Sequence, residues 1–409
     1  MSNTILLSQQ HSGIVRSLQS SGVNNAYVYS VDSSVPNVSQ TIAELRPSSE
    51  ATGNARQTLE FPLARQGFCN GMILQVNLSA GAEADGDAIA FHMGANMVSS
   101  VELTVRGRPI RKASTLALID MNLKKSQGGD QERYGLAASG GNLANNETRT
   151  VYLDVGRVFG ITSNPMNNLD SLFCEDMTIN IVLEAVASFT DANRDYTSAR
   201  LFCRYGMLES AEYDKYRSEN FSSTQPTRRL VVSHEKEVKK RLTGLTAGNV
   251  ETAMVDLKMK NLVTKTVVAV EAVFGDAWKK GRFNRITALR AYANGQEIWA
   301  TSSPEACFLL DVSDGDSDKA IKDINLGEGH FSDNDNKNVY SIEWSQTSLP
   351  DKLHDSFKGG LNLADLTSAY LEISFVSNQT SADIHVSHEC RLLESVDGNS
   401  GLVSVSARE

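Results

Sequence analysis

Apolar and polar residues alternate in short segments along most of the chain. Residues 101–105 (Val-Glu-Leu-Thr-Val) and residues 179–185 (Ile-Asn-Ile-Val-Leu-Glu-Ala) show the pattern clearly. A period of two is typical of a strand that buries one face. Gly, Asn, Asp and Ser clusters separate these segments, and helix-like spacing is confined to short stretches. The pattern therefore predicts an all-β protein built from antiparallel sandwiches with short helical insertions.

The same pattern occurs twice along the chain. The matched segments are 101–110 with 289–298, 151–152 with 339–340 and 179–185 with 367–373 at a shift of 188, and then 207–210 with 392–395 at a shift of 185. Gly107 falls on Gly295 and Leu183 on Leu371. The alternative is two unrelated β segments that share turn chemistry. The order and the nearly constant offset of the matches favour an internal duplication.

Turn and cap residues recur at matching places in the two copies. Asn294-Gly295 favours a tight hairpin turn, because both residues tolerate positive φ. Thr115 and Ser303 are candidate N-caps of a short helix after each hairpin. The segments that begin at Asn164-Pro165 and Leu349-Pro350 predict one further helical turn in each copy.

The composition along the chain divides it into five parts. They are an N-terminal arm at 1–49, a first eight-stranded sandwich at 50–210, a polar linker at 211–227, a second eight-stranded sandwich at 228–395 and a C-terminal tail at 396–409. The arm has a weak amphipathic pattern, and the tail is predicted to be mobile. Such ends either dock on neighbouring molecules or stay disordered.

Composition and charge narrow the function. Hydrophobic residues make up 41% and charged residues 22% of the 409 residues, which is typical of a folded globular chain. The formal net charge of -10 argues against a surface that neutralises nucleic-acid phosphates, so no sequence-specific nucleic-acid partner is expected. No apolar run is long enough to span a membrane, and the first residues lack the pattern of a signal peptide. The five cysteines form no Cys-x-x-Cys pair, which favours buried reduced thiols.

The common catalytic motifs are missing from the sequence. It contains no phosphate-binding Gly-rich motif, no Gly-x-Ser-x-Gly and no His-Glu-x-x-His, so we expect no enzyme activity. His385 and His388, followed by Glu389 and Cys390, come closest to a transition-metal cluster. A spacing of three along a strand sends the two imidazoles to opposite faces, so a strand with solvent-facing polar residues is the preferred interpretation.

One acidic segment could bind calcium. Asp311, Asp314, Asp316 and Asp318 place hard oxygen ligands close together, although their spacing is not that of an EF-hand. The alternative is a solvated acidic loop, and no other cofactor is expected. Basic residues within 228–241 are mixed with glutamates, which indicates a solvated strand or, as the alternative, a contact with anionic lipid headgroups.

The duplicated architecture resembles a known family. Two tandem sandwiches of equal length, each with helical insertions and each ending in Leu-Glu-Ser, resemble the double jelly-roll major capsid proteins of tailless icosahedral double-stranded DNA viruses. The resemblance covers about residues 50–395 and depends on architecture, not on a diagnostic motif. Within that class the chain is similar to the coat proteins of membrane-containing bacteriophages such as tectiviruses, corticoviruses and autolykiviruses.

This resemblance implies a structural role in a virion. It implies a homotrimer with a pseudo-hexameric outline that contacts neighbouring capsomers, vertex or minor capsid proteins and the lipid of an inner membrane, after synthesis in the host cytoplasm. A carbohydrate-binding or carbohydrate-active sandwich is one alternative. It would need an aromatic platform or paired carboxylates, and the chain has three tryptophans, Trp278, Trp299 and Trp344. Another virion component, such as a spike, vertex or baseplate protein, is the second alternative.

Overall fold

The computed structural model describes most of the chain from residue 38 to residue 406. The segments outside the description are 1–37, 81–86, 89, 91, 126–141, 144–147, 162–168, 171–175, 191–193, 209, 211–212, 215–217, 219–226, 235–236, 258–261, 276–280, 305, 307–333, 336–337, 345–359, 364–365, 398–402 and 407–409. The described helices are all short, and none of them is long and apolar enough to cross a membrane.

The first sandwich consists of two antiparallel sheets. Its strands are β1 (Val38–Leu45), β2 (Gln57–Pro62), β3 (Phe68–Leu78), β4 (Asp87–Ala88), β5 (Val98–Val105), β6 (Arg108–Ser114), β7 (Asn142–Leu143), β8 (Arg149–Asp154), β9 (Leu169–Asp170), β10 (Met177–Leu183) and β11 (Tyr196–Leu208). Sheet A has the order β1-β11-β3-β8, with β9 also on β3, and sheet B has the order β2-β10-β5-β6. β4 and β7 pair with each other. The helices are α1 (Met93–Asn96) and α2 (Thr115–Lys125), with 3-10 turns at Arg157–Phe159 and Val186–Ser188.

The second sandwich repeats this arrangement. Its strands are β12 (Thr227–His234), β13 (Val238–Thr243), β14 (Val250–Asp256), β15 (Leu262–Ala272), β16 (Phe283–Asn284), β17 (Ile286–Ala293), β18 (Gln296–Thr301), β19 (Asn334–Asp335), β20 (Val339–Glu343), β21 (Leu361–Asn362), β22 (Ala369–Val376), β23 (Ser381–Val396) and β24 (Val403–Ser406). Sheet C is built on β12-β23-β15, with β13 and β24 on β23, with β16, β20 and β21 on β15, and with β19 on β16. Sheet D has the order β14-β22-β17-β18.

The alternating segments form strands with one buried face, as predicted. On β10, Ile179, Ile181 and Leu183 are fully buried while the residues between them are partly exposed. Such inward side chains from both sheets fill each core, and burying one of them contributes about 1.5–3 kcal/mol. Three of the five cysteines, Cys69, Cys203 and Cys390, lie in the described part of the chain, and these three are buried.

The two sandwiches have the same strand order. β1, β11, β3 and β8 of sheet A correspond to β12, β23, β15 and β20 of sheet C, and sheet B corresponds strand for strand to sheet D. The hairpin between β5 and β6 also has the same turn as the hairpin between β17 and β18. Gly107 and Gly295 have φ of 74° and 80°, and the residues before them, Arg106 and Asn294, have φ of 48° and 50°. The predicted duplication therefore holds at the level of topology and at this turn.

The predicted match of Leu183 with Leu371 is wrong by four residues. Ile179 pairs with Leu103. Leu371 pairs with Ala291, which lies 188 residues after Leu103. The counterpart of Leu371 is therefore Ile179, at an offset of 192. A slip of four residues preserves the alternation of a strand, so the hydrophobic pattern could not reveal it.

The other two predicted matches have opposite outcomes. Tyr205 pairs with Cys69 and Cys390 pairs with Val263, in each case directly beside a bulge, so β11 and β23 do correspond at the predicted offset of 185. The match of Tyr152 with Tyr340 is wrong, because Tyr152 is exposed whereas Tyr340 is fully buried. The connections between strands differ in length in the two copies, so no single shift aligns them.

Both ends of the sandwiches extend beyond the predicted boundaries. β1, which lies within the predicted arm, pairs with β11 along all of its residues, because this pairing satisfies the backbone groups of one edge of β11. β24, which lies within the predicted tail, pairs with the last residues of β23. Scattered helical positions occur in the linker, where the Tyr213 ring contacts Phe68 at 6.1 Å between centroids.

The helix predicted after the first hairpin is present but begins differently. Ser114 is the N-cap, since its hydroxyl accepts a hydrogen bond from the Ala117 amide at 3.5 Å, and Thr115 is already helical. Ser303 directly precedes helical Pro304, which agrees with its predicted cap role. The helical turns predicted after Asn164-Pro165 and Leu349-Pro350 lie mostly outside the described residues. Leu169, which was expected in the first of them, belongs to the strand β9.

The shared turn gives a direct test of the duplication. We expect Gly107→Ala and Gly295→Ala each to lower the free energy of unfolding by about 1–2 kcal/mol, because a Cβ is disfavoured at positive φ even where space is free. Urea denaturation of the two variants measures the loss. Gly275→Ala is the control, since Gly275 also has free space around it but lacks positive φ. Unequal losses at Gly107 and Gly295 would contradict the equivalence of the two turns.

Candidate functional site at the junction of the two sandwiches

The outer face of sheet C is buried against the first sandwich. β12 packs against β6 and the turn Arg157–Phe159, and α2 packs against β15 and β23. Val267 and Ala269, on outward positions of β15, join the hydrophobic cluster of the first sandwich, as do Val396 and Val403. The two halves therefore share part of one core.

A buried ion pair crosses this junction. Arg111 on β6 donates from Nη2 to Oε2 of Glu394 on β23 at 2.7 Å, and its Nη1 donates to the Phe159 carbonyl at 3.2 Å. The two side chains are 1% and 0% exposed. A charge pair so far from water is stable only while both partners are present.

Further polar contacts surround this pair. Lys265 of β15 forms a buried ion pair with Asp120 of α2. The hydroxyls of Ser114 and Ser387 lie 3.2 Å apart. The Lys112 amide donates to the Ser233 hydroxyl at 3.0 Å. These contacts fix the register of one half on the other.

His234 also joins the two halves. Its Nε2 lies 3.0 Å from the Val158 carbonyl and donates to it, while Nδ1 is buried without a partner. Burial lowers the pKa of His234, and the charge of Glu389 only partly opposes this shift. The imidazole is therefore neutral at pH 7.

His385 is held between two carboxylates at the edge of the junction. Its Nδ1 lies 2.6 Å from Glu237 and its Nε2 lies 3.1 Å from Glu271. Although burial opposes it, the hydrogen bonds and charges of the two carboxylates raise the pKa of His385 to about 9. Burial likewise opposes the shift of Glu237, but the bond from His385, its charge, that of Lys239 and the Leu116 amide hold the pKa of Glu237 below its usual range.

These groups line a crevice of about 800 Å³ between the two sandwiches. At its edge Arg241 pairs with Asp383, and Lys239 lies 3.5 Å from Glu237. As an imidazolium with both ring nitrogens donating, His385 cannot act as a general base. His385, Glu237 and Glu271 all belong to the second sandwich, so their contacts hold its strands together at the edge of the junction. Among the contacts described for this group, the hydrogen bond from the Leu116 amide to Glu237 reaches the first sandwich.

The predicted metal residues have separate outcomes. Asp311, Asp314, Asp316 and Asp318 lie outside the described residues, so calcium binding there stays a prediction.

His385 and His388 lie on opposite faces of β23, as predicted. His388 lies on the same face of β23 as Ile384 and Val386, which belong to the second core. The prediction that these histidines belong to a solvent-facing polar strand is wrong, because the first sandwich covers the outer face of β23 and the second core covers the inner face. Among the described residues no group of three or more potential ligands could hold a metal ion.

The basic residues near β13 have partners within the chain. Lys239 lies near Glu237, Arg241 pairs with Asp383, and Lys240 donates to the Met254 carbonyl at 2.6 Å. Self-neutralised cations contribute less to binding an anionic lipid surface. The contacts favour the solvated strand that we expected.

Sequence reasoning missed the residues of the junction. Arg111 follows the hairpin turn and stands next to Lys112, and it received no role from the sequence. Two signals were present: Lys265 and Glu271 interrupt the apolar segment Leu262–Ala272, and Asp120 interrupts the apolar face of α2. A charge inside an apolar strand indicates a buried partner, but it does not identify that partner.

Comparisons with known proteins give likeness in structure alone. No protein-family model and no curated protein matches the sequence. A chain of the PBCV-1 virus capsid is similar with a TM-score of 0.67 and 10% identity, covering 93% of this chain and 99% of that chain. The Faustovirus major capsid protein has a TM-score of 0.59 and 11% identity over 96% and 98% of the two chains. The mavirus major capsid protein has a TM-score of 0.55 and 10% identity over 90% of each.

The strand order decides the fold. In the first half, eight strands of six or more residues, counted along the chain as β1, β2, β3, β5, β6, β8, β10 and β11, are divided between two sheets. The first, eighth, third and sixth form sheet A and the second, seventh, fourth and fifth form sheet B, and sheets C and D repeat this order. This chain is a double jelly roll. The expected fold class is confirmed, and the structural neighbours of this double jelly roll are major capsid proteins of icosahedral viruses.

Proposed function

We propose that the chain is the major capsid protein of an icosahedral virus. The supporting observation is that a double jelly roll covers nearly the whole length both of this chain and of viral capsid chains. Buried ion pairs and a shared hydrophobic cluster join the two halves into one building block, which suits a repeated shell unit. The structural neighbours are coat proteins, which supports a non-enzymatic role.

The finer parts of the proposal concern assembly. Three chains form a homotrimer whose six sandwiches give a pseudo-hexameric outline, and trimers contact neighbouring trimers and vertex or minor capsid proteins in the virion. Assembly follows synthesis in the host cytoplasm, and the shell surrounds a membrane in a tailless bacteriophage. The N-terminal residues, which lie outside the described part, would face a neighbour or lipid.

Light scattering after size-exclusion chromatography tests the assembly proposal. We expect the purified full chain to have the mass of a trimer, because the repeated sandwich gives each chain two unlike docking surfaces. Negative-stain microscopy of concentrated samples should then show particles with a hexagonal outline. A chain that stays monomeric at high concentration would contradict the capsid proposal.

The carbohydrate alternative finds little support in the described tryptophans. Trp299 and Trp344 contact each other edge to face at 6.3 Å beside the second core, and the Trp344 indole donates to Thr266. Rings in this arrangement cannot present a flat platform to a sugar. Trp278 lies outside the described residues. A monomer that binds sugars would favour this alternative.

A further inference from the structure

The duplicated fold contains a second copy of each junction surface. Within the chain, β6 of the first sandwich docks on the outer face of sheet C. The counterpart of sheet C in the first sandwich is sheet A, and the counterpart of β6 in the second sandwich is β18. The strand pairings allow these surfaces to be compared residue by residue.

The outer face of sheet A repeats the positions that are buried on sheet C. On sheet A, Ile42 pairs with Arg204. The counterpart of Arg204 on sheet C, 185 residues later, is Glu389, and Glu389 pairs with His234. Ile42 is therefore the counterpart of His234. His234 is 4% exposed at the junction, whereas Ile42 is 69% exposed.

Neighbouring positions on the two sheets agree with this match. Phe202 pairs with Ile73 on sheet A, and their counterparts Ser387 and Val267 are buried at the junction. Phe202 and Ile73 are partly exposed, and they place apolar surface beside Ile42. We call this set of Ile42, Ile73 and Phe202 the sheet A face.

An ion pair is retained at equivalent places on the two sheets. Arg200 is the counterpart of His385 at the same offset, and it lies 3.3 Å from Glu44. Leu45 pairs with Leu201, and Val238 pairs with Val386, the counterpart of Leu201, so Val238 is the counterpart of Leu45. Glu237, which binds His385, precedes Val238 as Glu44 precedes Leu45, so Glu237 is the counterpart of Glu44. The sheet A face therefore has both the apolar positions and the flanking charge pair of a buried junction.

β18 repeats the edge of β6. Ile110 and Ile298 are each the extra residue of a bulge at the same place in the hairpin. Ile110 is 4% exposed and Ile298 is 44% exposed. Ala300 pairs with Arg290, which makes it the counterpart of Lys112, whose amide donates to Ser233 across the junction. We call Ile298 and Ala300 the β18 edge.

We propose that the β18 edge of one copy docks on the sheet A face of a second copy of this chain, as β6 docks on sheet C within one chain. The occupant follows from the duplication, because each surface has a buried counterpart whose partner is already seen. Such a contact is head-to-tail, so successive copies close into a ring or continue as a filament. The number of copies in the ring, three, rests on the proposed function.

Engineered cysteines test the contact directly. Thr41 is the counterpart of Ser233, because it pairs with Tyr205 as Ser233 pairs with Cys390. The pair Lys112 and Ser233 therefore predicts that Ala300 of one copy lies next to Thr41 of another. We expect an equimolar mixture of Thr41→Cys and Ala300→Cys chains to form covalent dimers on mild oxidation, seen on a non-reducing gel, whereas neither variant forms them alone. The double variant should yield up to three linked chains.

Matched controls separate this contact from other kinds of assembly. Lys112→Cys with Ser233→Cys should form a bond within one chain and leave the mass unchanged. Met254→Cys mixed with Thr41→Cys should not crosslink, since Met254 is 54% exposed on β14, outside both surfaces. A trimer by light scattering without the Thr41–Ala300 crosslink would overturn this contact and leave the proposed function standing.

Association itself gives a second measurement. Ile42→Asp places a charge in the contact and should weaken association about 100-fold or more, which corresponds to about 2.7 kcal/mol. Met254→Asp should leave association unchanged. Both residues are exposed in the single chain, so the melting temperature under dissociating dilution should not change. Unchanged association of the Ile42→Asp chain would overturn the proposal.

Discussion

Replacement of Glu394 by alanine is expected to lower the free energy of unfolding by about 3–5 kcal/mol. The change leaves the Arg111 guanidinium, which is 1% exposed, in the junction without its carboxylate. The hydrogen bond to the Phe159 carbonyl remains, but a neutral acceptor does not replace the charge of the carboxylate. Urea denaturation at pH 7 measures the loss.

An apolar double variant and a surface pair provide the controls. Arg111→Met with Glu394→Leu removes both charges and should recover most of the lost stability. Removing Glu372, which lies 3.7 Å from the half-exposed Arg290 on sheet D, should lower the free energy of unfolding much less than removing Glu394, because solvent screens this pair. A loss below 1 kcal/mol for Glu394→Ala would show that the two halves do not depend on this pair.

Acidification from pH 6.5 to pH 4 is expected to remove roughly 3 kcal/mol of stability through His388 alone. Burial lowers the pKa of His388 to about 4. The Trp344 indole donates to the Thr266 hydroxyl, which can then donate to Nδ1 of His388, so this nitrogen accepts a bond and the ring is neutral. The unfolded chain takes up a proton near pH 6.5 and the folded chain does not, so stability falls as the pH falls.

Comparison of two histidine variants isolates this effect. In His388→Gln the decline between pH 6.5 and pH 4 should be smaller by roughly 3 kcal/mol, since the remaining carboxylates titrate equally in both proteins. His385→Gln should instead alter the alkaline side. The pKa of His385 is raised to about 9, so its contribution is complete below pH 6.5 and is lost as the pH rises through 9. Equal acid slopes with and without His388 would rule out the buried neutral imidazole.

The sequence pattern was sufficient for strand type but not for register. Inward apolar residues such as Ile179 and Ile181 recur with a period of two, and that period identifies a half-buried strand without tertiary information. The same period makes a slip of two or four residues invisible, which is why Leu183 was matched with Leu371. β1 was missed because its apolar residues do not alternate: Ile42 faces outward and the adjacent Ala43 packs against the core.

The junction could not be predicted because its chemistry depends on docking. Arg111 and Glu394 are 283 residues apart in the sequence, and neither local segment indicates which residue is the partner. A buried position for either residue follows only when two completed sandwiches meet. Lys265 and Asp120, by contrast, interrupt apolar patterns, so local patterning could have indicated their burial but not their pairing.

The core of the first sandwich is completed by residues at the other end of the chain, which are synthesised last. Val403 on β24 belongs to the hydrophobic cluster of the first sandwich, yet the ribosome adds it 195 residues after β11 ends at Leu208. At ordinary translation rates this interval lasts roughly 10–40 s. During that time the nascent first sandwich displays Arg111 and the rest of its docking surface without a partner. The first sandwich therefore gains Val403 and the carboxylate partner of Arg111 only after the second half has been made.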